Sequence, residues 1–409
     1  MRKLVVLSVA FCMACSSNEP EPENLPDLRT LSAAETSLVA GNNQFAVNLF
    51  TQLPQDDPNL FFSPLSIGIA LGMTLNGAEA ETRQGILNTI QFGSLTAAEV
   101  NQGYADLMRL LAGMDRTVNL SFANSVWYRN PLTVRTDFKS AIESSYQGTV
   151  QGLDFTSPQA KQTINNWVES KTNTKIKNVI QQIDAHLVMF LINAIYFKGD
   201  WTYSFDKAQT KAENFYLEDG TIIQMPTMRA EKVNVTLYAH EKFNLITIPF
   251  GNKQFEFTVL LPRPGYTTAD VTASLSAAAL EDWIFNAHEQ TVKLQMPKFK
   301  MKWKKNLNDE LSALGMARAF IPGQAQLPNF FNDPLALYID FVDHHSFLEL
   351  TETGAEAAAV TVVGIGYTSM PAEPALVAIN KPFVFMIREK HSGAITFMGQ
   401  LKNPASLEE

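Results

Sequence analysis

Residues 349–383 constrain the fold most, because a long uncharged segment has to be accommodated near the end of the chain. No charged residue occurs between Glu356 and Glu373. Gly364 and Gly366, with two prolines after them, keep any regular element short. Read as a strand, one face carries only small or apolar side chains, namely Ala355, Ala357, Ala359, Thr361, Val363 and Ile365. The pattern fits an exposed edge strand followed by a loop. It equally fits a strand that enters a sheet with one face in the core.

Two motifs in this stretch resemble signatures of the serpin family. Residues 352–359, ETGAEAAA, resemble the hinge of the serpin reactive-centre loop, and residues 380–385, NKPFVF, resemble the signature that follows it. The hinge residues marked by this resemblance are Glu352, Gly354, Ala355, Glu356, Ala357, Ala358 and Ala359. Ala355 replaces the commoner Thr, and Val360 is bulkier than the usual Ala, but Val360 falls on the outward face of the strand.

The resemblance implies an α+β fold, in which a single unit holds a large central mixed β-sheet, smaller sheets and about eight to nine helices. An exposed reactive-centre loop is expected at about residues 353–375. The rest of the chain agrees with this expectation. Ser63 followed by Pro64 predicts the start of a buried helix, and residues 187–197, LVMFLINAIYF, predict a strand covered on both faces. No internal repeat or interdomain linker divides the chain, so residues 32–404 are expected to form one serpin domain.

A polar cluster is expected beside the point where the main sheet parts. His344 lies ten residues before Gly354, which is the spacing at which serpins place a histidine at this position. The resemblance assigns the other members of the cluster to Ser63, Ser66 and Asn193. Strands that have to separate need satisfiable hydrogen bonds between them rather than seamless apolar packing. The expected role is gating, and the alternative is ordinary satisfaction of polar groups in a core.

Composition and motifs exclude several classes of function. The net charge is −9 and no dense Lys/Arg run occurs, so a nucleic acid is not an expected partner. Some serpins carry a basic helix that binds glycosaminoglycans. Here residues 82–117 offer only Arg83, Arg109 and Arg116, so activation by a polyanion is not expected.

An enzymatic function is not expected either. There is no Gly-x-Ser-x-Gly elbow, no His-Glu-x-x-His motif and no phosphate-binding glycine loop. His344 and His345 are adjacent in a strand and point to opposite faces, which makes them poor joint ligands for a metal. No metal and no cofactor are therefore predicted.

The N-terminus predicts export. Both cysteines of the chain, Cys12 and Cys15, lie in a short apolar segment that follows Arg2 and Lys3. Residues 1–14 are predicted to be a signal peptide. Cys15 resembles the lipidated cysteine of bacterial lipoproteins, and residues 15–31 then form an acidic, Pro-rich tether. This predicts an outer-membrane or cell-surface lipoprotein of a bacterium. The alternative is an ordinary cleaved signal and a secreted protein.

The resemblance implies an irreversible suicide-substrate inhibitor of endopeptidases, expected to be a monomer. Counting from Glu352 places the reactive bond at Thr368–Ser369, and a shift of one residue places it at Tyr367–Thr368. The loop holds no Lys or Arg, so elastase-like, chymotrypsin-like or papain-like targets are expected rather than trypsin-like ones. The alternative is a non-inhibitory serpin that acts as a binding or carrier module.

Overall fold

The computed structural model describes residues 26, 28–93, 95–354 and 373–407. Helices and strands alternate irregularly along this part of the chain, which gives the expected α+β class. The helices are α1 (Ala33–Gln52), α2 (Pro64–Leu75), α3 (Ala80–Thr89), α4 (Ala97–Gly113), α5 (Thr136–Ser145), α6 (Pro158–Lys171), α7 (Thr268–Ser274), α8 (Ala277–Phe285) and α9 (Asn308–Leu311). The expectation of eight to nine helices is confirmed within the described residues.

The strands run through the whole described chain. They are β1 (Asn59–Phe62), β2 (Val118–Arg129), β3 (Thr149–Leu153), β4 (Met189–Gly199), β5 (Lys211–Tyr216), β6 (Ile222–Ala239), β7 (Phe243–Phe250), β8 (Phe255–Pro262), β9 (His288–Pro297), β10 (Phe299–Asn306), β11 (Asp343–Leu350), β12 (Ala375–Ala378), β13 (Phe383–Glu389) and β14 (Ile395–Leu401).

The strands form one large sheet and two smaller ones. The nine-stranded sheet has the order β1-β14-β13-β8-β7-β6-β9-β12, with β5 paired to β6. It is mixed because β12 pairs parallel with β9 while the other pairs in it are antiparallel. A three-stranded sheet, β3-β2-β4, and a two-stranded sheet, β10-β11, complete the set. A large mixed sheet with smaller sheets is therefore confirmed.

The main core lies between the nine-stranded sheet and the helices around α2. The strands β13 and β14 are buried at every position, which agrees with the near-continuous apolar runs in their sequences. Phe61 stacks on Phe397 at 5.3 Å between ring centroids and on Phe385 at 5.9 Å, so β1 is fixed on this sheet. Helix α2 is buried along nearly its whole length. Its first turn carries the site residues described below.

Helix α6 lies across the three-stranded sheet. Ile164 and Ala160 pack with Trp127 and Phe190 of strands β2 and β4. Ile176, in the segment that follows the helix, packs with Ala194 of β4. Ser157 accepts a hydrogen bond from the N–H of Gln159 and caps the helix, as its position before Pro158 predicts. The helix and the segment after it are therefore both packed on β4.

Strand β4 departs in part from its sequence prediction. The structure places it two residues later than residues 187–197, and six of its eleven positions are only half-buried. Continuous apolar sequence predicts cover on both faces and neighbours on both edges. One edge of β4 pairs with β2, but among the described residues no ladder joins its other edge to β11. The half-buried positions follow from this open edge.

Candidate functional site

The first turn of α2 is the centre of the expected gate cluster, Ser63, Ser66, Asn193 and His344. Ser63 Oγ accepts a hydrogen bond from the N–H of Ser66 at 3.0 Å and donates one to the carbonyl oxygen of Thr396 at 2.7 Å. Thr396 belongs to β14, so the helix cap also holds α2 against the nine-stranded sheet. Ser63 and Ser66 are buried. The structure therefore places Ser63 and Ser66 side by side, and the hydroxyl group of each donates a hydrogen bond.

Asn193 of β4 joins the cluster through both ends of its amide. Ser66 Oγ donates to Asn193 Oδ1, and Asn193 Nδ2 donates to Asn124 Oδ1 at 2.6 Å. Asn124 lies opposite Asn193 on β2 and donates in turn to the carbonyl oxygen of Tyr146 at 2.7 Å. The sequence analysis missed Asn124. The signal was available, because an amide on the apolar side of the alternating residues 118–128 requires a buried partner.

His344 of β11 completes the cluster from the opposite strand. Its Nε2 atom accepts a hydrogen bond from the backbone N–H of Ser63 at 3.0 Å. Burial, with the neighbouring His345, lowers the pKa of His344 to about 3. The imidazole is therefore neutral at physiological pH and acts as an acceptor. The structure brings all four predicted gate residues together, while their gating role stays a prediction.

A cavity of about 360 Å³ lies between β4 and β11. Ser66, Asn193 and His344 form part of its wall. The remaining wall is mainly apolar and comes from α2, the segment after α6, β4 and the residues before β11. Representative apolar side chains are Ile67, Leu71, Ile180, Leu191, Leu337 and Phe341. The cavity therefore offers an apolar slot with a polar gate, bounded by two strands whose facing edges are unpaired among the described residues.

Contacts before and after the two strands show that β4 and β11 run in the same direction. Before these strands begin, His186 Nε2 lies 3.4 Å from a carboxylate oxygen of Asp340. After they end, the N–H of Trp201 donates to the carbonyl oxygen of Thr353 at 2.9 Å. A segment that turned back after residue 354 and entered between them would run antiparallel to both. Antiparallel pairing is the favourable arrangement for a new strand.

The start of the expected hinge is held by a buried carboxylate. Glu352 is 4% exposed and accepts hydrogen bonds from Lys298 Nζ and Thr210 Oγ1, both at 2.9 Å. Its carbonyl oxygen accepts from the N–H of Phe205 at 2.7 Å. Burial alone would raise the pKa of Glu352, but the hydrogen bonds from Lys298 and Thr210 outweigh it and lower the pKa below its usual value. Glu352 therefore fixes the chain where β11 ends.

Gly354 sits at the point where the described chain leaves this junction. Its φ is +128°, and a Cβ at this position would lie 2.1 Å from the carbonyl oxygen of Gly199. Only glycine therefore fits there without a backbone shift. Trp201 Nε1 donates to the carbonyl oxygen of Thr351 at 2.9 Å, and its ring stacks on Phe250 at 4.3 Å. Hydrogen bonds, ring stacking and a close backbone approach therefore hold the junction up to residue 354.

Several predicted residues lie outside the described residues. They are the hinge residues Ala355, Glu356, Ala357, Ala358 and Ala359, the reactive-bond candidates Tyr367, Thr368 and Ser369, and the lipidation candidate Cys15. Their assignments stay predictions.

Across residues 26–354 and 373–407, apart from positions 27 and 94, no group of three His, Cys, Asp or Glu side chains is arranged to hold a metal ion. Within the same ranges, no helix has the length and apolarity needed to cross a membrane.

Comparison with known proteins identifies the family. The family model described as Serpin (serine protease inhibitor) matches residues 40–404. Antithrombin-III of Mus musculus is 32% identical over 379 residues, which cover 90% of this chain and 82% of that protein. A thermophilic serpin, tengpin, in its native state superposes with a TM-score of 0.82 at 28% identity, over 92% of this chain and 95% of that one.

A second solved structure is human thyroxine-binding globulin in its complex with thyroxine. It has a TM-score of 0.82 at 26% identity and covers 91% of this chain and 100% of that one. The extent of the family match and the identity to antithrombin-III leave no doubt about the assignment. The chain belongs to the serpin family, whose members are mostly protease inhibitors rather than catalysts.

Proposed function

We propose that this protein is an irreversible suicide-substrate inhibitor of serine endopeptidases, with papain-like cysteine endopeptidases as a second target class. The observation that carries the proposal is the junction at Gly354. There the chain leaves the end of β11, whose edge towards β4 is unpaired among the described residues, and a cavity lies between the first residues of these two strands. From Ala355 onward, small or apolar residues occupy alternate positions of the sequence. A strand with these side chains can enter the slot without placing a bulky or charged group in the core.

The reaction begins as ordinary proteolysis of the loop. The hydroxyl oxygen of the target's serine attacks the carbonyl carbon of Thr368, and the amide bond to Ser369 breaks. The new amino group of Ser369 takes a proton from the target's general acid and leaves. The target is then joined to Thr368 through an ester. Until water hydrolyses this ester, the loop segment before Thr368 is free to move with the protease attached.

Insertion of that segment between β4 and β11 releases the free energy that displaces and distorts the protease. About 14 residues at roughly 3.3 Å each span about 45 Å, which is enough to carry the protease to the far end of the strands. If each new ladder hydrogen bond contributes about 1 kcal/mol net, insertion releases on the order of 10 kcal/mol. That is comparable to the stability of a whole domain. Work on this scale can distort the catalytic groups of the target and stall hydrolysis of the ester.

The loop sequence supports a choice of target class. Residues 357–372 contain no Lys or Arg, which disfavours trypsin-like enzymes. Thr368 before the reactive bond suits the small pocket of elastase-like enzymes. A bond at Tyr367–Thr368 suits chymotrypsin-like enzymes instead. Tyr367 one residue before the cleaved position also suits papain-like enzymes, which read that residue. Pro371 makes cleavage after Met370 unfavourable.

A gel assay with an elastase tests the proposal. We expect a covalent complex that survives SDS, with release of a C-terminal fragment that begins at Ser369. Sequencing this fragment fixes the reactive bond and separates Thr368–Ser369 from Tyr367–Thr368. Complete cleavage without a complex, by elastase, chymotrypsin and papain alike, would show a substrate and overturn the proposal.

A non-inhibitory binding module is the second candidate, favoured by the apolar cavity of about 360 Å³. Its volume is in the range of small-molecule sites. Thyroxine-binding globulin, which has this fold, has been solved in complex with thyroxine, a small molecule. Thermal unfolding separates the two candidates. Loop cleavage raises the melting temperature of an inhibitor that inserts its loop. A cleaved form that melts no higher than the intact one favours the binding module.

We also propose that the chain is exported and lipidated at Cys15, with residues 15–31 as a tether between a membrane and the inhibitor domain. The basic start, the short apolar segment and the acidic Pro-rich residues 18–27 support this proposal. Mass spectrometry of the mature N-terminus tests it. An N-terminal acylated Cys15 is expected, and Cys15→Ala should release the protein from the membrane fraction. An unmodified N-terminus at another residue would contradict lipidation and leave a secreted protein.

A further inference from the structure

Asp200 lies directly beside the start of the hinge. It follows the last residue of β4 and forms an isolated antiparallel bridge with Gly354. A Cβ at Gly354 would lie 2.6 Å from the Cα atom of Asp200, so the two backbones are in close contact. On its other side, the carbonyl oxygen of Asp200 accepts a hydrogen bond from the N–H of Gly251 at 2.8 Å. The backbone of Asp200 is therefore held between the hinge and the turn that joins β7 to β8.

The carboxylate of Asp200 is less well satisfied than its backbone. Its Oδ1 atom is buried and accepts no hydrogen bond from any described residue. The nearby carboxylate of Asp115 shows the contrast, because it accepts from the N–H and the hydroxyl of Thr117 and from the N–H of Asn252. A buried carboxylate oxygen without a donor costs free energy in the folded state. Packing among the described residues therefore does not explain why an acidic side chain occupies this position.

The charged groups around Asp200 oppose one another. Burial raises the pKa of Asp200 above its usual value, Lys198 of β4 lowers it, and Asp115 raises it again. From the β7–β8 turn, Lys253 lies over an aromatic ring. On the hinge side, Glu352 is already held by an ion pair. The raised pKa means that the folded chain holds the proton of Asp200 more tightly than the unfolded chain does.

The next hydrogen-bond donors along the hinge are the N–H groups of Ala355 and Glu356. Before them, the N–H groups of Thr351 and Gly354 donate to each other's carbonyl oxygens at 2.8 and 3.1 Å. Residues 355 and 356 follow Gly354 within two Cα steps of about 3.8 Å each. A segment that turns back after Gly354 to enter between β4 and β11 brings their N–H groups past the end of β4, where Asp200 lies. A carboxylate is a strong acceptor for N–H groups in a tight turn.

We propose that Asp200 is a positioning residue for loop insertion, whose Oδ1 atom accepts the N–H groups of Ala355 and Glu356 as the cleaved loop turns back into the sheet. This role rests on the proposed function, because it requires a loop that inserts. Among the described residues the oxygen has no donor in the intact molecule, so the new contact favours the inserted state over the intact one. A carboxylate that destabilises the intact junction therefore promotes the first step of insertion, in competition with hydrolysis of the ester.

Asp200→Asn tests this role through two readouts that should move in opposite directions. The variant keeps the shape of the side chain and removes the buried charge, so the intact protein should melt at a higher temperature than the wild type at pH 7. It also weakens the acceptor, so the stoichiometry of inhibition with elastase should rise. Loss of one charge-assisted hydrogen bond slows insertion by about tenfold. Asp200→Ala, which has no acceptor, should raise the stoichiometry further.

The pH dependence gives a readout that a merely structural role would not move. Because the pKa of folded Asp200 is raised, its unfavourable contribution is present above that pKa and is lost as the pH falls through it. The difference in melting temperature between Asp200→Asn and the wild type should therefore be largest at pH 7 and shrink on acidification. The other titrating groups are common to both proteins and cancel in this difference.

Asp56→Asn is the matched control. Asp56 is exposed in the segment between α1 and β1, so its replacement removes the same charge and should change neither the melting temperature nor the stoichiometry. A higher stoichiometry of Asp200→Asn with a lower melting temperature at pH 7 would show a structural defect and overturn the role of Asp200.

The same gel assay separates this role from the proposed function. A wild type that forms the SDS-stable complex, with an unchanged stoichiometry for Asp200→Asn, would contradict the role of Asp200 and leave the inhibitor standing. A wild type that is cleaved without forming a complex would contradict the proposed function, and the role of Asp200 in inhibition would fall with it.

Discussion

The Nε2 atom of His344 lies 3.0 Å from the backbone nitrogen of Ser63 and accepts its hydrogen bond. This contact joins β11 to the first turn of α2, directly beside the cavity that separates β11 from β4. An imidazole can accept at Nε2 only while that atom is unprotonated. Protonation would replace the hydrogen bond with two facing donors and bury an unpaired charge. The gate is therefore stable only with a neutral His344.

A dependence of stability on pH follows from this contact. Burial, together with His345, lowers the pKa of His344 to about 3, below its usual value of 6.5. Between these values the unfolded chain binds a proton that the folded chain does not. Stability is therefore lost as the pH falls below about 6.5, by up to about 1.4 kcal/mol per pH unit for such a group. Urea midpoints measured from pH 7 to pH 4 should fall accordingly.

The variant His344→Gln isolates this contribution. Its urea midpoint should decline less steeply over the same pH range, although the overall stability is lower at pH 7. Part of the slope remains, because burial also lowers the pKa of His345 to about 4. His288→Gln, at an exposed position, serves as the control and should keep the wild-type slope. A slope for His344→Gln equal to that of the wild type would contradict a neutral, buried acceptor.

Gly354→Ala tests the rigidity of the hinge junction. The backbone has φ +128°, and the added Cβ would lie 2.1 Å from Gly199 O. We expect a loss of about 1–3 kcal/mol in the free energy of unfolding, since the junction has to shift. Gly113→Ala is the control, because a Cβ there has no neighbour within 4 Å. A stability of Gly354→Ala equal to that of the control, measured by urea unfolding, would show that the junction is soft.

Local sequence signals predicted individual helices and strands better than the way in which these pair and pack. Ser63 and Pro64 predict the start of α2 to the residue, because capping depends on the chain itself. The apolar run at residues 187–197 predicts β4 within two positions. It does not predict the open edge towards β11, because periodicity records burial and not the identity of the neighbouring strand.

For the site too, the sequence predicts the residues themselves better than the contacts between them. The four gate residues follow from the resemblance and meet in the structure. The alternation of residues 118–128 marks Asn124 as a buried amide, but no spacing in the sequence reveals that its partner is Asn193 or that Ser63 pairs with Thr396. Lys175 and Lys300 are also brought together only by the fold, where both lie near the ring of Phe347, and no pattern of contiguous charges in the sequence reveals this.

Lys298→Ala tests the carboxylate that holds the start of the hinge. Glu352 is buried and depends on Lys298 and Thr210 for its hydrogen bonds. Removal of the lysine leaves a buried carboxylate only partly satisfied, which should cost about 1–3 kcal/mol at pH 7. Because these bonds lower the pKa of Glu352 below 4.5, their contribution is present above that pH and is lost as the pH falls further.

The difference between the wild type and Lys298→Ala should therefore be largest at pH 7 and shrink below about pH 4.5. Urea midpoints at pH 7 and pH 3.5 measure it. Lys232→Ala, at an exposed position, should show little difference at either pH. A difference that grows on acidification would contradict the assigned role of the ion pair.

The two faces of the hinge give the sharpest test of loop insertion. If the segment inserts as a strand, the alternation predicts Ala357 on the face that enters the core and Ala358 on the opposite, outward face. Ala357→Glu would force a charge into an apolar slot during insertion, which costs several kcal/mol or stops the process. The ester then hydrolyses before the protease is displaced, so the inhibitor becomes a substrate.

Ala358→Glu adds the same charge to the same segment and should keep most of the inhibition, because its side chain stays in solvent. The stoichiometry of inhibition, read from the ratio of complex to cleaved protein on SDS gels, should rise steeply for Ala357→Glu and little for Ala358→Glu. Equal behaviour of the two variants would mean that the segment does not pair as a strand with one buried face.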